Sequence, residues 1–156
     1  MSDNILVIPK VSIIIPIYNT APFLRETLDS ICNQSLKELD IILINDGSTD
    51  ESPDIIEEYA LRDHRIRYMT QPNQGQSVAR NNGLQLATGK YIYFMDSDDK
   101  LDTDALKECY NICEKDKLDF VFFDATVISA PDTSNTFTYC RKGIINENKL
   151  WNGMEL

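Results

Sequence analysis

Two segments of the chain are apolar at almost every position, Val11–Ile17 (VSIIIPI) and Leu39–Ile44 (LDIILI). Short β-branched runs with no alternation predict strands buried on both faces, which is the behaviour of central strands in a parallel sheet covered by helices. Pro16 lacks an amide donor, so the first strand's pairing is expected to weaken there. Between the two runs the period changes. Leu24, Leu28 and Ile31 recur at helical spacing within Pro22–Asn33, with Thr20 as the predicted N-cap and Pro22 in the first turn. A second helix is predicted after Asn45-Asp46-Gly47-Ser48-Thr49-Asp50, capped by Asp50 or Ser52, with Ile55, Ile56, Tyr59 and Ala60 as its apolar stripe.

The alternation continues. Ile66–Met69 reads as a third strand, and Ser77–Ala87 as a helix whose inner face is small (Ala79, Gly83, Ala87). Gly89 is expected to end that helix in the left-handed conformation. Tyr91–Met95 is the predicted fourth strand. A helix starting at Asp102 or Thr103 would turn Leu106, Cys109, Tyr110 and Cys113 inward. Leu118–Ala125 reads as a fifth strand and Thr136–Arg141 as a strand of different orientation, while Lys142–Leu156 has no clear period.

Strand–helix alternation of this kind predicts an α/β fold: a mostly parallel open sheet, right-handed crossovers and helices on both faces. In such a sheet ligands bind outside the carboxyl ends of the strands. The segments following the strands are Tyr18-Asn19-Thr20, Asn45-Asp46-Gly47, 70–76 and Asp96-Ser97-Asp98-Asp99, and all are polar, acidic or amide-rich.

Composition narrows the partners. The 156 residues carry 15 Lys+Arg against 25 Asp+Glu, a formal net charge of -10, which argues against nucleic-acid binding. An acidic site can still take a diphosphate if a divalent cation bridges the two. The apolar share of 42% is that of a folded domain, and no stretch is apolar for long enough to span a bilayer. Met1–Lys10 lacks the basic start and apolar run of a signal peptide, and the four cysteines (32, 109, 113 and 140) form no Cys-x-x-Cys pair; free thiols in a reducing, cytoplasmic compartment are expected.

Asp96 and Asp98 have period-two spacing, so extended backbone would aim both carboxylates one way. Three carboxylates in four residues repel one another unless a cation or solvent relieves them, and hard oxygen ligands suit Mg²⁺ or Mn²⁺. A solvated acidic loop capping the next helix explains the same residues. Asp46 suits either a base or ribose contact or a simple turn, and Arg80 either a phosphate contact or an ion pair. No dinucleotide-binding glycine fingerprint or phosphate-binding GxxxxGK loop is present, His64 sits in a charged connector, and no nucleophile–His–acid triad is found.

In order and spacing, VSIIIPIYN (11–19), NDGSTD (45–50) and NQGQSVARNNGLQLATGKYIYFMDSDD (73–99) resemble the N-terminal nucleotide-binding part of the inverting family 2 glycosyltransferases of GT-A fold. The resemblance covers residues 11 to about 125. It implies one donor-binding domain over 1–156, with the core at 11–125 and an incomplete acceptor-side region at 126–156. It implies that Pro16, Tyr18 and Asn19 line the nucleotide pocket, that Asp46 reads the base, usually uracil, and that Gly75, Arg80 and Asn81 border nucleotide and sugar. Asp96-Ser97-Asp98 matches the family's DxD element, with Asp96 nearer the ribose or sugar, Asp98 nearer a Mn²⁺ or Mg²⁺ on the diphosphate, and Asp99 assisting. Asn45 stands where the family commonly has another acid. The implied reaction passes a sugar from a nucleoside-diphosphate sugar, UDP-linked in the usual case, to a hydroxyl of a saccharide or lipid-linked saccharide acceptor with inversion. The implied setting is polysaccharide synthesis at the cytoplasmic face of a membrane. The catalytic base is expected beyond residue 156, since neither Asp124 nor Glu147 carries the flanking pattern. A nucleotidyltransferase and a non-catalytic nucleotide-sugar-binding module are the alternative readings.

Overall fold

The computed structural model describes residues 8–123 together with the backbone of 125–126 and 138–139. Four strands, β1 (Val11–Ile17), β2 (Leu39–Asn45), β3 (Ile66–Thr70) and β4 (Tyr91–Phe94), form a parallel sheet in the order β3-β2-β1-β4. They alternate with α1 (Ala21–Cys32), α2 (Ser52–Arg62) and α3 (Gln76–Leu86), and α4 (Ala105–Asp116) follows. The two continuously apolar runs are the two central strands, and every residue of each is buried.

The pleat divides those residues between two layers. Ile13, Ile15 and Ile17 of β1 and Ile41 and Leu43 of β2 pack with Leu24, Leu28 and Ile31 of α1, Ile55, Ile56 and Tyr59 of α2, and Leu106. Ile14, Ile42 and Ile44 face the other way and meet Ala79 of α3. Each fully buried aliphatic side chain contributes about 1.5–3 kcal/mol, and the central pair of strands supplies eight of the twelve largest fully buried side chains among the described residues. The small face of α3 lets the helix sit close: a Cβ on Gly83 would lie 2.4 Å from Cγ2 of Ile14.

Pro16 weakens pairing on one side only. Ile14 accepts from the Met95 amide, so the residue two further on also turns its backbone toward β4, which has ended. The register with β2 runs on through Pro16 and Ile17. The proline thus stands where a donor has no strand to meet.

Three expectations are corrected. Leu118–Phe123 forms no strand: the chain leaves α4 through Lys117 at φ 54°, and the Leu118 amide turns back to the Cys113 carbonyl. Aromatic and β-branched residues favour a strand only where a partner ladder exists. The ladder that does form is two residues long, β5 (Ala125–Thr126) antiparallel to β6 (Thr138–Tyr139), the latter inside the segment read as a differently oriented strand. Gly89 does not adopt a positive φ. Its lack of a side chain serves a close approach instead, since a Cβ there would lie 2.4 Å from the Ser12 amide nitrogen. Thr20 stands at the N-cap of α1 without a side-chain capping bond. Asp50 and Ser52 cap from across the sheet rim, accepting from the Ala21 and Thr20 amides.

The chain divides into two compact units, Met1–Tyr110 and Asn111–Leu156, with the boundary inside α4. The sheet and all the site residues named above belong to the first. Cys140 and the tail from Lys142 lie outside the described residues. Among the described residues no helix is long and apolar enough to cross a membrane.

Candidate functional site

The polar segments predicted to gather do so at the carboxyl end of the sheet, and each is fastened to its neighbour. After β1 the chain turns through Asn19 at φ 53°, a conformation that asparagine tolerates better than most residues. The Asn19 Oδ1 accepts from the Thr49 amide at 2.8 Å, and its own amide donates to the Ser48 hydroxyl at 3.1 Å. Asn45, where another acid was expected, accepts from the Ser48 amide and closes the turn. Gly47 completes that turn at φ 75°, and a Cβ there would be 2.8 Å from the Asn73 amide nitrogen. Tyr18 stands half exposed on the rim, whereas Pro16 is buried in β1 beneath it.

Asp46 is buried at the end of β2 and takes its donors from the loop after β3. Oδ1 accepts from Gln71 Nε2 at 2.7 Å and the Gln74 amide at 2.9 Å, and Oδ2 accepts from the Gly75 amide at 2.8 Å. Its first task is therefore to mould the 71–75 loop. Gly75, at φ 88°, leads directly into α3.

The first turns of α3 reach the acidic loop beyond β4. Arg80 pairs with Asp96 Oδ1 at 2.5 Å, and Gln76 Nε2 donates to the same oxygen at 2.9 Å. The segment Gly75–Arg80 so connects the Asp46 loop to the Asp96 loop, and both acids lie on one rim. Arg80 Nε is buried without a hydrogen-bond partner among the described residues. Asn81 is exposed, two residues on from the sheet-facing Ala79, and is not drawn into this cluster.

Asp98 is exposed, with no hydrogen bond or ion pair among the described residues. The Asp99 carboxyl is pushed above the usual carboxylate range by partial burial and by the charges of Asp96 and Asp98. This crowding fits a divalent cation. No group of three or more His, Cys, Asp or Glu side chains preformed for a metal is found among the described residues. The donor set instead suits Mg²⁺ or Mn²⁺ held by one or two carboxylates, with the remaining positions filled by ligand oxygens and water.

Two sets of residues escaped the sequence reading. Gln71 and Asn82 form an amide relay, Asn82 Nδ2 donating to Gln71 Oε1 at 2.7 Å and Gln71 donating on to Asp46. Thr27, Ser30 and Gln34, along α1 and just beyond its end, hold the chain after β4. Thr27 donates to the Ser97 carbonyl, Ser30 accepts from the Leu101 amide, and Gln34 donates to the Asp102 carbonyl. Their helical spacing beside the apolar Leu24, Leu28 and Ile31 was the available signal.

Cys32 is a free thiol, and burial beside Asp63 pushes it up to about 11, which disfavours the thiolate. His64 is exposed in its connector, as expected.

A parallel α/β sheet with glycine turns, amides and clustered acids on its carboxyl rim is an arrangement that the GT-A fold of its solved neighbours also carries. Residues 12–154 match glycosyl transferase family 2, and the chain belongs to that family. The glycosyltransferase EpsJ of Bacillus subtilis (strain 168), itself uncharacterised, is 46% identical over 114 residues, 73% of this chain and 33% of its own. S. aureus TarS 1-349, solved with UDP-GlcNAc, superposes with a TM-score of 0.64 at 29% identity, over 68% of this chain and 31% of its own. The mannosyltransferase PcManGT from Pyrobaculum calidifontis, solved with GDP-Man and Mn²⁺, gives 0.56 at 29% identity, over 59% of this chain and 28% of its own. The chain spans a third or less of the first curated relatives it matches.

Proposed function

We propose that this chain is the donor-binding part of an inverting, metal-dependent glycosyltransferase that uses a UDP-sugar. The observation that carries the reading is the bridge from Asp46 through Gly75, Gln76 and Arg80 to Asp96, which fastens the loop proposed to face the base to the loop proposed to face the ribose, sugar and cation. The solved relatives support a nucleotide-sugar donor, and the Mn²⁺ bound with GDP-Man in PcManGT supports a cation.

In this reading Tyr18 and Asn19 form the wall against the nucleoside, and Pro16, expected to line the pocket, backs them from within β1, where it is buried. Asp46 faces the base from a loop of its own making. Asp98, with the free Oδ2 of Asp96, holds Mn²⁺ or Mg²⁺ against the diphosphate. When bound, the cation neutralises the negative charge that grows on the departing diphosphate. Arg80 keeps the Asp96 carboxylate oriented and adds positive charge nearby. The acceptor hydroxyl of a saccharide or lipid-linked saccharide attacks from the opposite face of the sugar, which inverts the anomeric carbon. The base that takes its proton is supplied from outside this site. Work at the cytoplasmic face of a membrane fits this chemistry.

The test is calorimetry with Mn²⁺ and UDP, ADP or GDP. Preference for UDP that requires Mn²⁺ and is lost in Asp98→Ala supports the reading. Binding indifferent to cation and to that substitution contradicts it. A product carrying transferred nucleotide in place of transferred sugar would assign the chain to nucleotidyl transfer.

A further inference from the structure

From the hydrogen bonds around Asp46 we infer that Gln71 and Asn82 are positioning residues for base recognition in the donor site. The inference rests on the proposed reading of Asp46 as the base-facing acid.

A free carboxylate rotates and presents about four acceptor positions without preference. Here the group is buried, and donors occupy three positions: Gln71 Nε2 and the Gln74 amide on Oδ1, and the Gly75 amide on Oδ2. One position remains, on Oδ2, the oxygen that the relay leaves alone. A lone acceptor selects bases that carry a ring N–H, as uracil and guanine do, over those with a bare ring nitrogen, as in adenine and cytosine. Selection depends on holding the carboxylate plane still.

Two backbone amides cannot do this alone, because both come from the 71–75 loop that Asp46 itself organises. The independent support comes from the interior. Gln71 is buried, and its amide orientation is set by Asn82 Nδ2 at 2.7 Å. Asn82 lies on α3 beside Gly83, which packs against Ile14 and Ile44 of the central strands. The relay therefore adds a second tie, running from the buried Gln71 side chain at the start of the loop through Asn82 to α3 and the sheet. It touches neither the acidic segment 96–99 nor the residues proposed to hold the cation.

Separation from the cation gives the test. Full-length chain carrying Gln71→Leu, Asn82→Ala, both together, or Asp46→Ala is titrated by calorimetry with UDP and, separately, with inorganic pyrophosphate, each with Mn²⁺. The expected result is a loss of about tenfold in UDP affinity for either relay variant, the size of one hydrogen bond to a charged acceptor, with pyrophosphate affinity unchanged. The double variant should lose less than the product of the single losses, because the two amides act in series. The ratio of UDP to CDP affinity should fall toward one. Unchanged UDP affinity in Gln71→Leu, with the loss present in Asp46→Ala, overturns the relay and leaves the site reading standing. Unchanged UDP affinity in Asp46→Ala overturns the site reading itself. An equal loss of pyrophosphate affinity in the relay variants also overturns the proposal, since it reports a general disturbance of the rim.

Discussion

Asp63 shows how much one residue can carry away from the site. Its carboxylate takes three hydrogen bonds from the Arg65 guanidinium, the shortest 2.5 Å, in a pair with only 15% of each side chain exposed. The Arg65 bonds outweigh burial and hold the Asp63 carboxyl at about 2, against an ordinary value of 3.8. A depressed carboxyl stabilises the fold above its unfolded pKa and loses that stabilisation as pH falls through the folded one. The shift corresponds to about 2 kcal/mol. Urea unfolding of Asp63→Asn should therefore show a deficit of about 2 kcal/mol above about pH 5 that shrinks steadily toward pH 2. A deficit independent of pH would contradict this origin. The sequence marked Arg62-Asp63-His64-Arg65 only as a charged connector, because neighbours in sequence do not reveal which of several charges will pair. Asp46 was hidden in the same way. Its position after a strand and before a glycine was legible, but its donors lie 25–29 residues away on a loop with no regular pattern.

At the scale of elements, the close seat of α3 on the sheet rests on one missing side chain. Gly83→Ala places a Cβ 2.4 Å from Ile14 Cγ2 and 3.3 Å from Ile44 Cγ1. Overpacking of this kind costs about 1–3 kcal/mol and outweighs the gain of up to about 1 kcal/mol from alanine's helix propensity. Gly75→Ala meets no atom within 4 Å, and only its φ of 88° opposes it. Thermal melts should therefore find Gly83→Ala less stable than wild type with UDP affinity also reduced, because the helix carrying Gln76 and Arg80 is displaced. Wild-type stability in Gly83→Ala would show that the contact is not tight. Strands β1 and β2 were legible because burial on both faces leaves a continuous apolar run, and helices α1 and α2 because a one-sided stripe leaves a period. The Leu118–Phe123 run, with three Phe and one Val, is also made of strand-favouring residues but forms no strand, and pairing is not written in local composition. Gly89 was misread for a related reason. A glycine after a helix suggests a left-handed cap, while the contact it accommodates, with Ser12, is 77 residues distant.

Across the whole sheet, a satisfied buried carboxylate and the proposed donor site lie at opposite ends. Near the amino ends of the strands, buried Asp40 accepts from Ser12, Arg67 and Thr88. Those hydrogen bonds outweigh the burial that opposes them and keep its carboxyl below the usual range. At the carboxyl ends the acids are crowded and Asp98 is left open. Native-state hydrogen exchange should accordingly be slowest in β1 and β2, whose residues are buried on both faces, and faster in the edge strands β3 and β4. Equal protection in all strands would contradict a core centred on that pair. The alternation of strands and helices, and with it the gathering of the polar segments at the carboxyl rim, was readable from the sequence. The amide relay and the polar anchors on α1 were not, because their meaning depends on which loops the fold brings beside them.

In the proposed site, loops from separate strands share one rim where a cation meets a nucleoside diphosphate. Paramagnetic broadening by Mn²⁺ in amide spectra of the isotopically labelled chain tests it most directly. With UDP present, the signals of 97–99, Gly75 and Gln76 should broaden together at the lowest Mn²⁺ concentration, and Asp98→Ala should abolish the effect. Broadening that spares Gly75 and Gln76, or that is the same with and without UDP, would contradict it.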